Sequence, residues 1–263
     1  MKNRFFGKYY KFISDDGYVF ACIDSFANEG KMLQVITPDA SYLIEDTAAF
    51  SASENGVDFN IQKGTLSIVG HLDFGTLRPL KTKVMGPFTY LPLECKHEIY
   101  SVYHTLDGVL KINGKDVTFT GSPGYIEGDS GRNFPKKYIW YNSVAKDRSV
   151  TMAVATIPIG FIRFIGILCF VTVGDKEYKL CTYNFAKAAE ISENRVVIKK
   201  GRLTFTLNIE NGDGHKLKAP VSGNMERYIK ESVTIKTNYS LSLNGDTIIE
   251  AEDPLSSLEY MWD

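Results

Sequence analysis

Short runs of alternating apolar and polar residues cover most of this chain, and Gly, Pro, Asn and Asp separate them. Residues 9–13 and 18–25 flank Asp15-Asp16-Gly17, a hairpin signal with Asp-Gly turn chemistry. Residues 32–37 read as a further strand, and 59–61 and 65–69 flank Lys63-Gly64. A β-rich run covers 99–106, and 110–112 and 116–120 close on Asn113-Gly114. Further strands are predicted at 150–156, 161–173, 178–183, 196–198, 203–209, 233–237, 241–243 and 247–251. Strand signals every roughly 8–15 residues, with turn chemistry between them, argue for an all-β sandwich or barrel. Helix is expected only over 185–190 and 254–261.

The order of these signals repeats. Ile61-Gln-Lys-Gly-Thr-Leu-Ser-Ile68 matches Ile198-Lys-Lys-Gly-Arg-Leu-Thr-Phe205, Asn113-Gly114 matches Asn244-Gly245, and Pro87 matches Pro220. Each pair lies roughly 130–140 residues apart, about half the chain, so two similar β units in tandem are expected. The competing reading is that Lys-Gly and Asn-Gly turns recur in any β protein.

Residues 121–142 carry the densest chemistry: the acids Glu127 and Asp129, the cation Arg132, and Tyr125, Phe134, Tyr138, Trp140, Tyr141 and Asn142. Period-2 alternation puts Tyr125, Glu127 and Asp129 on one face of an extended arm. It puts Tyr138, Trp140 and Asn142 on one face of the next arm, with the chain turning over 130–135. Acids on one arm can thus face aromatics on the other.

The run Gly-Tyr-Ile-Glu-Gly-Asp-Ser-Gly-Arg-Asn-Phe-Pro at 124–135, followed by Tyr138-Ile-Trp140, resembles the central motif of the tocopherol cyclase family. Met85-Gly86-Pro87-Phe88, Glu94-Cys95-Lys96-His97, Ser101, His104 and Leu106 agree with it. Ala219-Pro220, Gly223, Met225, Arg227 and Glu231-Ser232 do so as well. Two positions differ: Ser130 stands where the family usually has Trp, and Tyr141-Asn142 shorten the run after Trp140. The resemblance implies two tandem lipocalin-like (calycin-type) antiparallel β-barrel or sandwich halves, 1–135 and 136–263, with residues 121–142 at their junction. Junctions of this kind are common ligand sites.

Composition sets bounds on partners. Thirty basic residues against 31 acidic give a net charge of −1, and no Lys/Arg run exceeds two, so nothing recommends nucleic acid. Cys22, Cys95, Cys169 and Cys181 have no CxxC spacing, and the first residues lack a signal-peptide apolar region. Reduced thiols and a cytoplasmic location are expected. Residues 155–173 are long and apolar enough to span a bilayer, but Arg163 sits at their centre, with Pro158 and Gly160 before it. Two buried strands joined by a Pro158-Ile-Gly160 turn are expected instead. Peripheral membrane contact stays open, as does the oligomeric state.

Two carboxylates at i and i+2 on one strand can share a proton, and apolar walls raise the pKa of the acid that keeps it. The plainer alternative is a salt-bridged loop in which Arg132 ties one or both acids. Aromatic faces can stabilise a developing cation, or simply fill a core. His104 is a candidate polar contact near Glu94, more simply read as a hydrogen-bonded structural residue. No His-x-His or HExxH pair occurs, so neither a metal nor a cofactor is expected. With the resemblance, Glu127 and Asp129 become the acid candidates, with Arg132 setting which of them is protonated. Tyr125, Phe134, Tyr138, Trp140, Asn142 and His104 become the ligand contacts. The expected ligand is a hydrophobic, prenylated or lipid-like small molecule. The chemistry implied is acid-initiated cyclisation or hydration of an isoprenoid alkene, and the alternative is a non-catalytic carrier of lipocalin type. A carbohydrate-active β protein would also use two carboxylates, but around a polar groove.

Overall fold

The computed structural model describes residues 4–210 and 212–262. The first half contributes β1 (Phe5–Ile13), β2 (Val19–Ala27), β3 (Gly30–Ile36), β4 (Ser41–Ile44), β5 (Phe50–Ala52), β6 (Gly56–Lys63), β7 (Leu66–Phe74), β8 (Cys95–Ile112) and β9 (Lys115–Gly131). The second contributes β10 (Tyr138–Ala145), β11 (Arg148–Ile159), β12 (Ile162–Val173), β13 (Lys176–Lys179), β14 (Lys187–Ser192), β15 (Arg195–Lys200), β16 (Leu203–Ile209), β17 (His215–Val221), β18 (Asn224–Leu243) and β19 (Asp246–Met261). Short 3-10 turns are the only helical elements among the described residues.

The first sheet runs β4-β3-β2-β1-β9-β8-β7-β6-β5 and the second β13-β12-β11-β10-β19-β18-β16-β15-β14, with β17 paired to β18. Strand for strand the two orders are the same, and all pairings are antiparallel. The fold is therefore all-β, with two lipocalin-like halves. The repeated turns fall at equivalent places. Lys63-Gly64 joins β6 to β7 as Lys200-Gly201 joins β15 to β16. Asn113-Gly114 and Asn244-Gly245 close the longest hairpins. All four of these residues have positive φ, the requirement of a tight two-residue hairpin turn.

Three large apolar cores result, beside a small fourth one of Phe5, Ala27 and Met225. One fills the first half, around Phe12, Phe20, Phe59 and Phe119. One fills the second, around Tyr141, Phe205 and Tyr239. The third lies between the halves and draws Tyr9, Ile99 and Tyr125 from the first and Tyr138, Trp140 and Ile229 from the second. β10 and the end of β19, residues 256–259, lie between two cores, so these residues are buried on both faces and the alternation disappears.

That double burial explains one departure from expectation. Residues 254–261 form the end of β19, not a helix, and residues 187–192 form β14. Pro254 is accommodated because the β18–β19 register slips between Ile235 and Thr237, where a missing N–H costs no ladder bond. The runs 99–106 and 110–112 are one strand, as are 233–237 and 241–243. The β11–β12 hairpin turns at Gly160-Phe161, with Pro158 still paired to Arg163, so the turn is later than the Pro-Ile-Gly signal indicated. Its tip is exposed and its base is buried. No helix among the described residues is long and apolar enough to cross a membrane.

Each half also sends an arm over the other. Residues 75–94 lie on the second half: Lys81 N donates to Glu177 Oε2 at 2.9 Å and Tyr183 Oη to the Val84 carbonyl at 3.0 Å. Gly86, at φ +48°, sits beneath the Tyr183 ring, where a Cβ would come within 2.8 Å of Cζ. From the other side β17 lies on the first half. Gln34 Nε2 donates to the Lys218 carbonyl at 3.0 Å, and Lys218 N returns a bond to Gln34 Oε1 at 2.8 Å. The paired Pro87 and Pro220 signals mark these two arms.

Candidate functional site at the junction of the halves

A cavity of about 160 Å³ opens between the halves. The two arms wall it with Met85, Phe88, Leu217 and Pro220, and Phe134, Phe164 and Met225 extend that wall. The barrel interiors are filled by their own cores, so the ligand space lies between the halves. Its wall is mostly apolar, and its ionisable lining residues include His97, Glu127, Asp129 and Glu259.

β9 carries the first group. Tyr125, Glu127 and Asp129 share a face, as the alternation predicted, and that face meets β10 of the other half. Glu127 is only 4% exposed. Its Oε2 accepts from Tyr125 Oη at 2.5 Å and from the Trp140 indole Nε1 at 3.0 Å. His97, on β8 directly opposite Asp129, puts Nδ1 3.1 Å from Asp129 Oδ1 and Nε2 3.4 Å from Glu127 Oε2. The Cys95 thiol donates to Asp129 Oδ1 at 3.5 Å.

Burial pushes the Glu127 carboxyl up, the positive charge of His97 pulls it back, and Asp129 adds to the rise; the carboxyl settles at about 7. Burial lowers His97, but the charges of Glu127 and Asp129 outweigh it and hold the imidazolium up to about 9. At neutral pH the ring is a cation bridging two acids. One atom each from His97, Glu127 and Asp129 lies within 4.8 Å of the others, a set able to hold a divalent ion once the ring gives up a proton.

The second group comes from β18 and β19. Glu231 and Glu259 stand directly opposite each other. Tyr9 Oη donates to Glu231 Oε1 at 2.7 Å, and Tyr138 Oη donates to Glu259 Oε2. Burial pushes Glu259 up to about 8, with Asp129 and Glu127 adding to the rise and the Tyr138 hydrogen bond opposing it. Burial and the Glu259 charge push Glu231 well above the carboxylate range.

The registers make the two groups equivalent. Tyr9 pairs with Glu127 as Trp140 pairs with Glu259, and Ile99 pairs with Glu127 as Glu231 pairs with Glu259. Tyr9 and Trp140, the equivalent aromatics, meet edge to face at 5.1 Å between ring centroids. His97 and Asp129 have Ile229 and Met261 as their counterparts, so the halves have diverged in their polar residues.

The other expected site residues divide. Phe134, Tyr138 and Trp140 line the cavity, and Tyr125 supports Glu127 from behind. Arg132 does not join the acids. It is exposed beyond the end of β9 and faces an outer recess with Phe6 and Phe26, and its backbone N–H donates to the Glu94 carbonyl at 2.7 Å. His97 takes the cation's place. His104 lies off the cavity wall: it packs on Phe74 at 4.8 Å inside the first half, bonds Ser101 Oγ, and is pushed down to about 4 by burial. Asn142 is buried next to the Val150 carbonyl, away from the cavity wall. Glu231, Glu259 and the central role of His97 escaped the sequence reading. The offset that links the paired turns also links Glu127 to Glu259 and would have found the latter.

Fold and site together define a two-half lipocalin-like protein with its acids in the junction. No protein-family model matches the chain, and no curated protein matches it. Solved structures do. Kievitone hydratase from Nectria haematococca aligns over 99% of this chain and 90% of its own, with TM-score 0.57 and 9% identity. CghA with Sch210972 aligns over 99% and 89%, with TM-score 0.62 and 8% identity. An AttH-like protein from Nitrosomonas europaea aligns over 100% and 93%, with TM-score 0.53 and 8% identity. At such identities the likeness is one of fold.

Proposed function

We propose that this protein binds a hydrophobic, unsaturated small molecule in the junction cavity and performs acid–base chemistry on it, of the hydration or cyclisation type. The observation that carries this is the Glu127 carboxyl, set in an apolar wall and poised near neutrality by His97, Tyr125 and Trp140. All three neighbours converge on Oε2. The apolar lining suits a molecule with a long hydrocarbon part and disfavours a sugar. A hydratase among the structural neighbours, and another neighbour solved with a small molecule, support the same reading. The resemblance of residues 124–140 to the tocopherol cyclase motif narrows the substrate to an isoprenoid alkene. In this reading Glu127 is the proton-transfer group, Asp129 holds His97 in place, and Tyr138 and Trp140 face the developing cation. Residues 1–135 and 136–263 are the duplicated units. The four cysteines are unpaired, in line with a cytoplasmic setting.

One observation favours a carrier instead: His97 reaches both acids, and a cation that ties both restrains proton release. Incubation with farnesol and with a prenylated phenol separates the readings, with binding followed by native mass spectrometry and products by chromatography. A one-to-one complex is expected, lost when Ile157→Trp fills the cavity, together with a product lost in Glu127→Gln. A complex without product returns the carrier. Absence of any complex removes both readings.

A further inference from the structure

Glu231 and Glu259 are two acids that Glu127's role leaves unused. They face each other across β18 and β19, both turned into the junction, and Glu231 is fully buried. Tyr9 Oη satisfies Glu231 Oε1, but Glu231 Oε2 meets no N–H or O–H donor among the described residues. Lys11, fully buried on β1, is the nearby cation, but its Nζ donates to the Leu255 carbonyl at 2.6 Å. Two ionised carboxylates here would repel each other and leave a buried acceptor orphaned. One proton held between the two carboxyls removes both faults, because the protonated acid becomes the missing donor. Glu259 also reaches the cavity wall, whereas Glu231 does not.

We propose that Glu231 and Glu259 share one proton and that Glu259 delivers it to a ligand in the junction cavity, making the pair a second proton-transfer station facing Glu127. The groups around the pair are consistent with this. Tyr9 and Lys11 face it from β1, Tyr138 from β10 and Ser257 from β19, with Asp253 near Lys11. Glu127 and Asp129 on β9 and His97 on β8 face it across the cavity. Burial, with the Asp129 and Glu127 charges adding to it against the Tyr138 hydrogen bond, holds Glu259 up to about 8 and keeps its proton in place at neutral pH.

A site with a carboxyl pair at one place on the cavity wall and a separate carboxyl, Glu127, at another selects a substrate class. It suits an unsaturated alcohol or phenol that takes up a proton at carbon and gives one up at oxygen. The Glu259 proton forms a C–H bond as the alkene π bond is consumed, leaving the Glu259 carboxylate and a carbocation. The substrate's own oxygen closes a C–O bond on that cation, and its O–H proton passes to Glu127. Returning that proton from Glu127 to Glu259 resets the protein, and the product is an isomer of the substrate. Two stations let the proton arrive and leave at different ends of the ligand.

This inference rests on the functional reading above, and the test separates the two. Infrared difference spectra in a Glu127→Gln background report protonated carboxyls without that residue. One such band is expected at pH 7, lost on adding Glu231→Gln and Glu259→Gln together. A missing band, or one that survives both changes, overturns the shared proton. Tyr138→Phe, which keeps both acids, is expected to move the band's titration to higher pH; an unmoved titration also counts against the pair. For delivery, the probes are farnesol and a prenylated phenol. Glu259→Gln is expected to retain binding by native mass spectrometry and to lose at least 100-fold in turnover, as expected of a lost general acid. Glu231→Gln is expected to shift the pH profile instead. If Glu259→Gln turns over with an unchanged profile, the delivery role fails while the functional reading stands. If the wild type turns over neither probe, delivery and the functional reading fail together, and the band alone decides the shared proton.

Discussion

The indole of Trp140 donates to the carboxylate of Glu127 at 3.0 Å, across the boundary between two sheets with the same strand order. This bond stabilises the charged form of a buried acid. Trp140→Phe keeps the aromatic bulk and removes the donor. The Glu127 titration is then expected to rise above about 7, and stability to fall by ~1.5–3 kcal/mol, the range for a hydrogen bond to a charged group. Carboxyl-carbon NMR titration and denaturant unfolding measure the two effects. An unmoved midpoint would show that the indole does not tune the acid.

His97 and Arg132 give opposite expectations. Arg132 is exposed and forms no ion pair among the described residues, so Arg132→Ala is expected to change stability by no more than ~0.5 kcal/mol. His97→Phe removes the cation between two acids. It is expected to raise the Glu127 titration and to cost ~3 kcal/mol or more, as breaking a buried pair does. Equal effects from the two substitutions would contradict the assignment of His97 as the partner.

Those two residues also show where the sequence was legible. Alternation along 125–129 and 138–140 let the acids of one arm face the aromatics of the next, and the Trp140 indole does donate to Glu127, because period 2 holds within one strand. Arg132 looked like the acids' partner because it is close in sequence, but Gly131 ends β9 and the chain leaves the sheet there. His97 lies on another strand, whose register against β9 slips twice between residues 99 and 104, so no spacing rule reveals it. Glu259 was hidden because residues 256–259 are buried on both faces and lose the alternation that marks a strand. The turns were the most readable feature, since Asn-Gly specifies its own backbone.

Stability should fall between pH 6.5 and 8. Glu127 and Glu259, raised from 4.5 to about 7 and about 8, bind protons that the unfolded chain has already released, so their contribution is lost as pH rises. His97, raised from 6.5 to about 9, acts in the same direction. Two groups of opposite sign are silent in this window. His104, lowered from 6.5 to about 4, costs stability only on the acid side. Lys11, lowered from 10.5 to about 8, restores some only on the alkaline side. Thermal melts across the window are expected to decline, and Glu259→Gln to flatten the decline by up to about 1.4 kcal/mol per pH unit. A melting temperature that rises through the window would contradict these signs.

The cavity itself predicts a binding phenotype. Ile157 and Leu217 line it from β11 and from the crossing arm β17. Leu217→Ala is expected to cost ~2–5 kcal/mol of stability, because it opens a void beside a packed wall. Ile157→Trp is expected to abolish farnesol binding while the protein stays folded, read by native mass spectrometry alongside a thermal melt. Farnesol bound at wild-type stoichiometry in Ile157→Trp would place the ligand elsewhere.

The central claim is that a proton passes between the junction acids and carbon. It is tested most directly by running the reaction with farnesol or a prenylated phenol in heavy water and locating the label in the product by mass spectrometry. The account predicts one deuterium at a new C–H bond with the wild type, and no product with Glu127→Gln. Product carrying no carbon-bound deuterium, or a Glu127→Gln variant as active as the wild type, would contradict it.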